Sequence, residues 1–195
     1  MSITRTRRLS RLAVLPIAAG LALGLSAFTA PTAEAATYYC NGYKATIVGT
    51  NGSDDIEGTN GRDVIVALGG HDDIDGNGGN DVICAGAGND DVDGGSGNDY
   101  IHGGSGHDEI EGGSGNDRIY GSSGNDHVQG ESGKDRVYGN SGHDLVEGGS
   151  GADTVSGGSG SDTLLSIEHL IGSAYADRLT GNSGANSLSG AAGND

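Results

Sequence analysis

The sequence predicts an all-β chain, a parallel β-solenoid with two short strands in each 18-residue coil. Three observations predict it: 40 glycines among 195 residues with one Phe and no Trp, a nine-residue period, and a difference between alternate periods. So little large apolar surface cannot fill a conventional core, which leaves a disordered chain or a repeat protein. Counted in nines from Gly49, thirteen unbroken units end at Leu165, each with glycine in fourth place, aspartate in sixth and an aliphatic residue in eighth. A disordered low-complexity segment has no reason to hold β-branched residues in register over that length.

The elements follow in chain order. Residues 1–35 carry Arg5, Arg7, Arg8 and Arg11, then an apolar run, then small residues before Ala36. That order predicts a secretory signal peptide, not a membrane-spanning anchor, and a secreted, extracellular mature chain without membrane insertion. Thr6-Arg7-Arg8 leaves the Sec and twin-arginine routes both open. Loss of this segment would remove four Arg and one Glu, taking the net charge from -17 to -20. Such a balance argues against nucleic acid and anionic membrane as partners and for a cation; it names no protein or surface partner.

Residues 36–48 are expected to form an N-terminal capping segment, with Thr46-Ile47-Val48 as a strand lacking a glycine turn and Tyr38, Tyr39 and Tyr43 covering the first open coil. In an oxidising compartment the two cysteines, Cys40 and Cys84, are expected to form a disulfide.

Residues 49–165 are the repeat. Six turn-forming residues precede three with strand character in each unit. Because strand neighbours point to opposite faces, the eighth residue turns inward while the seventh and ninth face out. One aliphatic residue per nine cannot make a core alone, but stacked units can. The outward places alternate: Asp55 and Glu57, Asp73 and Asp75, Asp91 and Asp93, Glu109 and Glu111 in odd units; Val64 and Val66, Val82 and Cys84, Tyr100 and His102, Arg118 and Tyr120 in even ones. The structural period is therefore eighteen residues, giving two parallel sheets back to back, with glycine turns along both edges.

The sixth-place aspartates are Asp54, Asp63, Asp72, Asp81, Asp90, Asp99, Asp108, Asp117, Asp126, Asp135, Asp144, Asp153 and Asp162. With glycines around them, as in GGSGNDYIH at 94–102, these units resemble the RTX, or hemolysin-type, calcium-binding nonapeptide repeats of secreted bacterial proteins, whose fold is a parallel β-roll. The resemblance implies Ca²⁺ between each turn and the turn eighteen residues later, held by both sixth-place aspartates and by backbone carbonyls. Hard carboxylate and carbonyl oxygens suit Ca²⁺, which takes six to eight of them. Seven odd turns and six even turns leave eleven gaps, hence up to eleven ions. Turns that depart from the pattern are expected to be weaker: Ala67 and Ala85 replace the first glycine, and Thr50, Thr59, Leu68, Asn77, Ser122, Glu131 and Asn140 the second.

Residues 166–195 break phase at SIEHLI and resume as degenerate repeats, with an end that reads as truncated. Rival chemistries fare worse. The stretch beginning DIDGNG at 73 has Cys84 where an EF-hand needs a bidentate Glu, and GESGKD at 130 lacks P-loop spacing. His71, His107 and His143 all fall in fifth place of odd turns and read as solvated turn residues, and no nucleophile, base and oxyanion set can be assembled. The expectation is a secreted, non-enzymatic calcium-binding protein that folds on binding. An accessory module of a larger secreted hydrolase, toxin or adhesin is the alternative.

Overall fold

The computed structural model describes residues 36–167, 169–171, 178–181 and 187–189; the segment read as a signal peptide lies outside them. No helix occurs among the described residues, and the strands form the two long parallel sheets that the eighteen-residue period requires.

One sheet, here called odd, has eight strands running from Asp55–Glu57 through Asp73–Asp75, Asp91–Asp93, Glu109–Glu111, His127–Gln129, Leu145–Glu147 and Thr163–Ile167 to Arg178–Gly181. The even sheet has nine, from Ile47–Val48 through Val64–Val66, Val82–Ala87, Tyr100–Ser105, Arg118–Ser123, Arg136–Ser141, Thr154–Ser159 and His169–Ile171 to Ser187–Ser189. Register is strict: Ile56 faces Ile74 and Ile74 faces Val92 in one sheet, as Ile65 faces Ile83 and Ile83 faces Ile101 in the other. The eighth-place residues from Ile56 to Leu164 make one buried column between the sheets. A one-residue slip would send every aliphatic to water, so the pattern fixes the pairing.

Where the repeat breaks phase, the solenoid shortens its coil. Val155 pairs with Leu170 and Leu164 with Leu179, steps of fifteen residues, after which His169 pairs with Ser187 at eighteen again. The strand Thr163–Ile167 runs on past Leu165, and the next strand begins at His169.

A second, smaller cluster lies on the outer face of the even sheet. Tyr39–Cys40 and Tyr43–Lys44 form an antiparallel hairpin closed by Asn41 and Gly42, both at positive φ (47° and 81°), the Asn-Gly chemistry that suits a tight hairpin turn. Cys40 packs with Val64, Val66 and Val82 and bonds to Cys84, while Tyr38 packs beside them. The hairpin thus seats on a sheet face, not over the open end of the stack. This accounts for the outward Val64, Val66 and Val82, which are 6%, 8% and 4% exposed.

Candidate metal centre

The thirteen sixth-place aspartates fall into two rows, one along each turn edge, and those from Asp63 to Asp162 are buried. From Asp72 onward the two oxygens of each carboxyl behave differently. Oδ1 accepts the N–H of the aspartate eighteen residues earlier, as in Asp81 to Asp99 (2.7 Å), Asp99 to Asp117 (2.8 Å) and Asp90 to Asp108 (3.0 Å). Oδ2 is buried without a hydrogen-bond partner in Asp72, Asp81, Asp90, Asp99, Asp108, Asp117, Asp126, Asp135 and Asp144. A buried orphan carboxylate oxygen is costly, so a repeated row of them calls for a ligand.

What surrounds Oδ2 is set by the first-place glycine. A Cβ on Gly103 would stand 2.5 Å from Asp108 Oδ2 and 2.8 Å from the carbonyl oxygen of Gly121; on Gly94, the corresponding distances to Asp99 Oδ2 and Gly112 O are 3.0 and 2.7 Å. A methyl would be too close to all of them, so only glycine leaves open the narrow point on which a carboxylate oxygen, the carbonyl of the next coil and an isoleucine Cδ1 converge. Fourth-place glycine does different work. From Gly70 to Gly160 its φ lies between 129° and 149°, and a Cβ there would overlap the fourth-place carbonyl of the preceding coil, as Gly97 would on Gly79. Only glycine allows coils to approach this closely.

Burial pushes the carboxyls up from their ordinary range, to about 6 in Asp99, Asp135 and Asp144 and about 7 in Asp108 and Asp117. The backbone N–H bond opposes this rise and like-charged neighbours in the row add to it. Coils stacked about 4.8 Å apart place like charges where each adjacent pair costs about 1 to 3.5 kcal/mol at an effective dielectric of 80 to 20. The ion-free rows therefore oppose the fold that aligns them. Among the described residues no three His, Cys, Asp or Glu side chains gather as a self-sufficient metal cluster. Backbone carbonyls would have to complete the shell, which favours a hard, many-coordinate cation such as Ca²⁺ over a transition metal.

The histidines belong to the scaffold. The Nδ1 atoms of His71, His107 and His143 accept the N–H of Asn89, Asn125 and Ser161 at 2.8, 2.7 and 2.9 Å. On the other edge Asn80 and Asn98 do the same for Asn98 and Asn116. Fifth place thus favours an acceptor, which is why Asn, His and Ser recur there. Tyr120 and Tyr138 stack at 5.0 Å between ring centroids on the even face, with Tyr100 tilted 5.6 Å from Tyr120, as cross-strand neighbours do.

The departures from the pattern separate into two kinds that the sequence reading treated as one. Leu68, Asn77, Ser122, Glu131 and Asn140 still adopt the positive φ of the second glycine, between 64° and 87°; Leu68 also packs its side chain against the hairpin cluster. Thr50 and Thr59 do not adopt it. A β-branched residue is poorly tolerated at positive φ, and that signal was available in the sequence.

No curated protein matches the chain as a relative. The RTX calcium-binding nonapeptide repeat, in blocks of four copies, matches residues 48–83, 85–119, 102–137, 111–146, 129–164 and 166–195. With aligned aspartate rows, glycine-lined openings and a two-sheet parallel solenoid built by those same residues, the chain belongs to the RTX calcium-binding nonapeptide repeat family.

Proposed function

We propose that this chain is a secreted, non-enzymatic protein that binds several Ca²⁺ ions between stacked coils and folds as it binds them. The observation that carries the reading is the repeated burial of an unpartnered Asp Oδ2 beside a glycine opening and a backbone carbonyl. The ions would be held by the sixth-place aspartates from Asp72 onward, supplemented by turn carbonyls, and would neutralise rows that otherwise repel.

The energetics support coupling to folding. With a dissociation constant of about 0.1 mM, within the range of extracellular calcium modules, about 1 mM Ca²⁺ contributes roughly 1.4 kcal/mol per site. Several sites together then approach the whole stability of an ordinary domain, about 5 to 15 kcal/mol. Membership of a repeat family typical of secreted bacterial proteins supports the extracellular assignment, where millimolar calcium is within reach of such affinities.

The test is far-UV circular dichroism of the chain during a calcium titration, with magnesium as control. A cooperative coil-to-β transition at sub-millimolar to millimolar Ca²⁺, absent with Mg²⁺, is expected. An unchanged spectrum up to about 10 mM Ca²⁺, well above the affinities of extracellular modules, would refute the reading.

A further inference from the structure

The first coils are built to stand without the ion that the later coils need. In turn 49–54 the N–H of Thr50 donates to Asp54 Oδ2 at 2.6 Å and its hydroxyl donates to the same oxygen at 3.0 Å. Turn 58–63 repeats the arrangement, with Thr59 N–H and Oγ1 donating to Asp63 Oδ2 at 2.7 and 2.8 Å. The carboxylate oxygen left orphaned in later turns is here satisfied inside its own turn. Backbone shape agrees, for Gly52 and Gly61 do not share the positive φ of every fourth-place glycine from Gly70 to Gly160.

Two more openings are closed differently. Ala67 and Ala85 put a buried methyl at the first place, so the ion is shut out there although Asp72 Oδ2 and Asp90 Oδ2 stay buried without a partner. The same region carries supports that the other described coils lack: the Cys40–Cys84 disulfide, the hairpin, and the buried outward valines.

Resting on the calcium reading above, we infer that the segment up to Val66, pinned by its disulfide to Cys84, forms an ion-independent nucleus on which calcium-driven folding propagates towards the C-terminus. Of the eleven gaps, the four that begin at turns 49, 58, 67 and 85 are withdrawn. Seven remain, beginning at Gly76, Gly94, Gly103, Gly112, Gly121, Gly130 and Gly139. In this arrangement Thr50 and Thr59 take the place of the ion.

Two measurements on the full chain test it. Equilibrium calcium counting should give about seven ions. Asp54→Asn and Asp63→Asn should leave that number unchanged, Asp108→Asn should lower it by one, and Ala85→Gly should raise it by one. Hydrogen exchange in chelator should find the amides of residues 64–66 protected and those of residues 100–123 unprotected. Loss of an ion in Asp54→Asn or Asp63→Asn, no gain in Ala85→Gly, or equal exchange in the two regions would overturn the inference. A wild-type chain that binds no calcium removes the functional reading itself, and exchange in chelator then still decides whether the N-terminal coils hold alone.

Discussion

Replacing Asp117 by asparagine should change stability in opposite directions with and without calcium. Asp117 is 1% exposed; its Oδ1 accepts the N–H of Asp99 at 2.8 Å and its Oδ2 has no partner. Asparagine keeps the volume and the Oδ1 acceptor but removes the charge. Without calcium that charge is a liability, because burial holds the carboxyl up to about 7 and Asp99 and Asp135 in the same row add repulsion. With calcium it is a ligand, shared by the gaps towards Asp99 and Asp135. Loss of one or both ions at 1 mM Ca²⁺ and a dissociation constant of about 0.1 mM removes about 1.4 to 3 kcal/mol. Urea unfolding followed by circular dichroism measures both conditions. Asp117→Asn should be about 1.4 to 3 kcal/mol less stable than wild type in calcium, and in chelator at least as well structured. Equal destabilisation in both would show that Asp117 serves only as an acceptor for the Asp99 amide, and the ligand reasoning would fail.

Acid should partly substitute for calcium. A carboxyl whose pKa is raised in the folded state favours that state fully below its unfolded value near 3.8 and loses the contribution as pH rises through the folded value, here about 6 to 7 for Asp99, Asp108 and Asp117. In chelator, β-structure should therefore increase as pH falls from about 7.5 to about 4.5, and the calcium midpoint should climb over the same range; a flat profile in circular dichroism would count against buried carboxylates as the barrier. Ile119→Ala, at a fully buried site, should lower stability in saturating calcium by about 2 to 5 kcal/mol in urea unfolding. Cys84→Ser opens a loop of 44 residues and should cost about 4 kcal/mol on the chain-entropy account. Its signature should be lost amide protection at Val64–Val66 in chelator, with calcium binding at Asp108–Asp126 retained.

The sequence by itself determined the architecture and the chemistry of the repeat. An aliphatic residue every nine positions, with outward places alternating every eighteen, admits one solution that buries all the aliphatics: two strands per coil in register. Sixth-place aspartate among glycines placed hard oxygen ligands in rows. These features are legible because they are local and repeated, so each unit restates the same constraint. The destination of Cys40 needed the cysteine count alone, whereas the hairpin it anchors was signalled by Asn41-Gly42 and by the unusual outward valines.

Tertiary structure alone decided which turns are complete. In the sequence only β-branching sets Thr50 apart from Leu68 and Glu131; the coordinates show that Leu68 and Glu131 keep φ at 78° and 70° while Thr50 does not, and that the Thr50 amide and hydroxyl consume the carboxylate oxygen. Likewise Ala67 and Ala85 are conservative as composition and decisive as geometry, because the opening beside first-place glycine is narrower than a methyl, as the 2.5 Å from a Cβ on Gly103 to Asp108 Oδ2 shows. The phase break after Leu165 became a shortened coil for a similar reason. Strand pairing between coils depends on where the next strand arrives in space, and a step of fifteen residues reaches that point as well as one of eighteen.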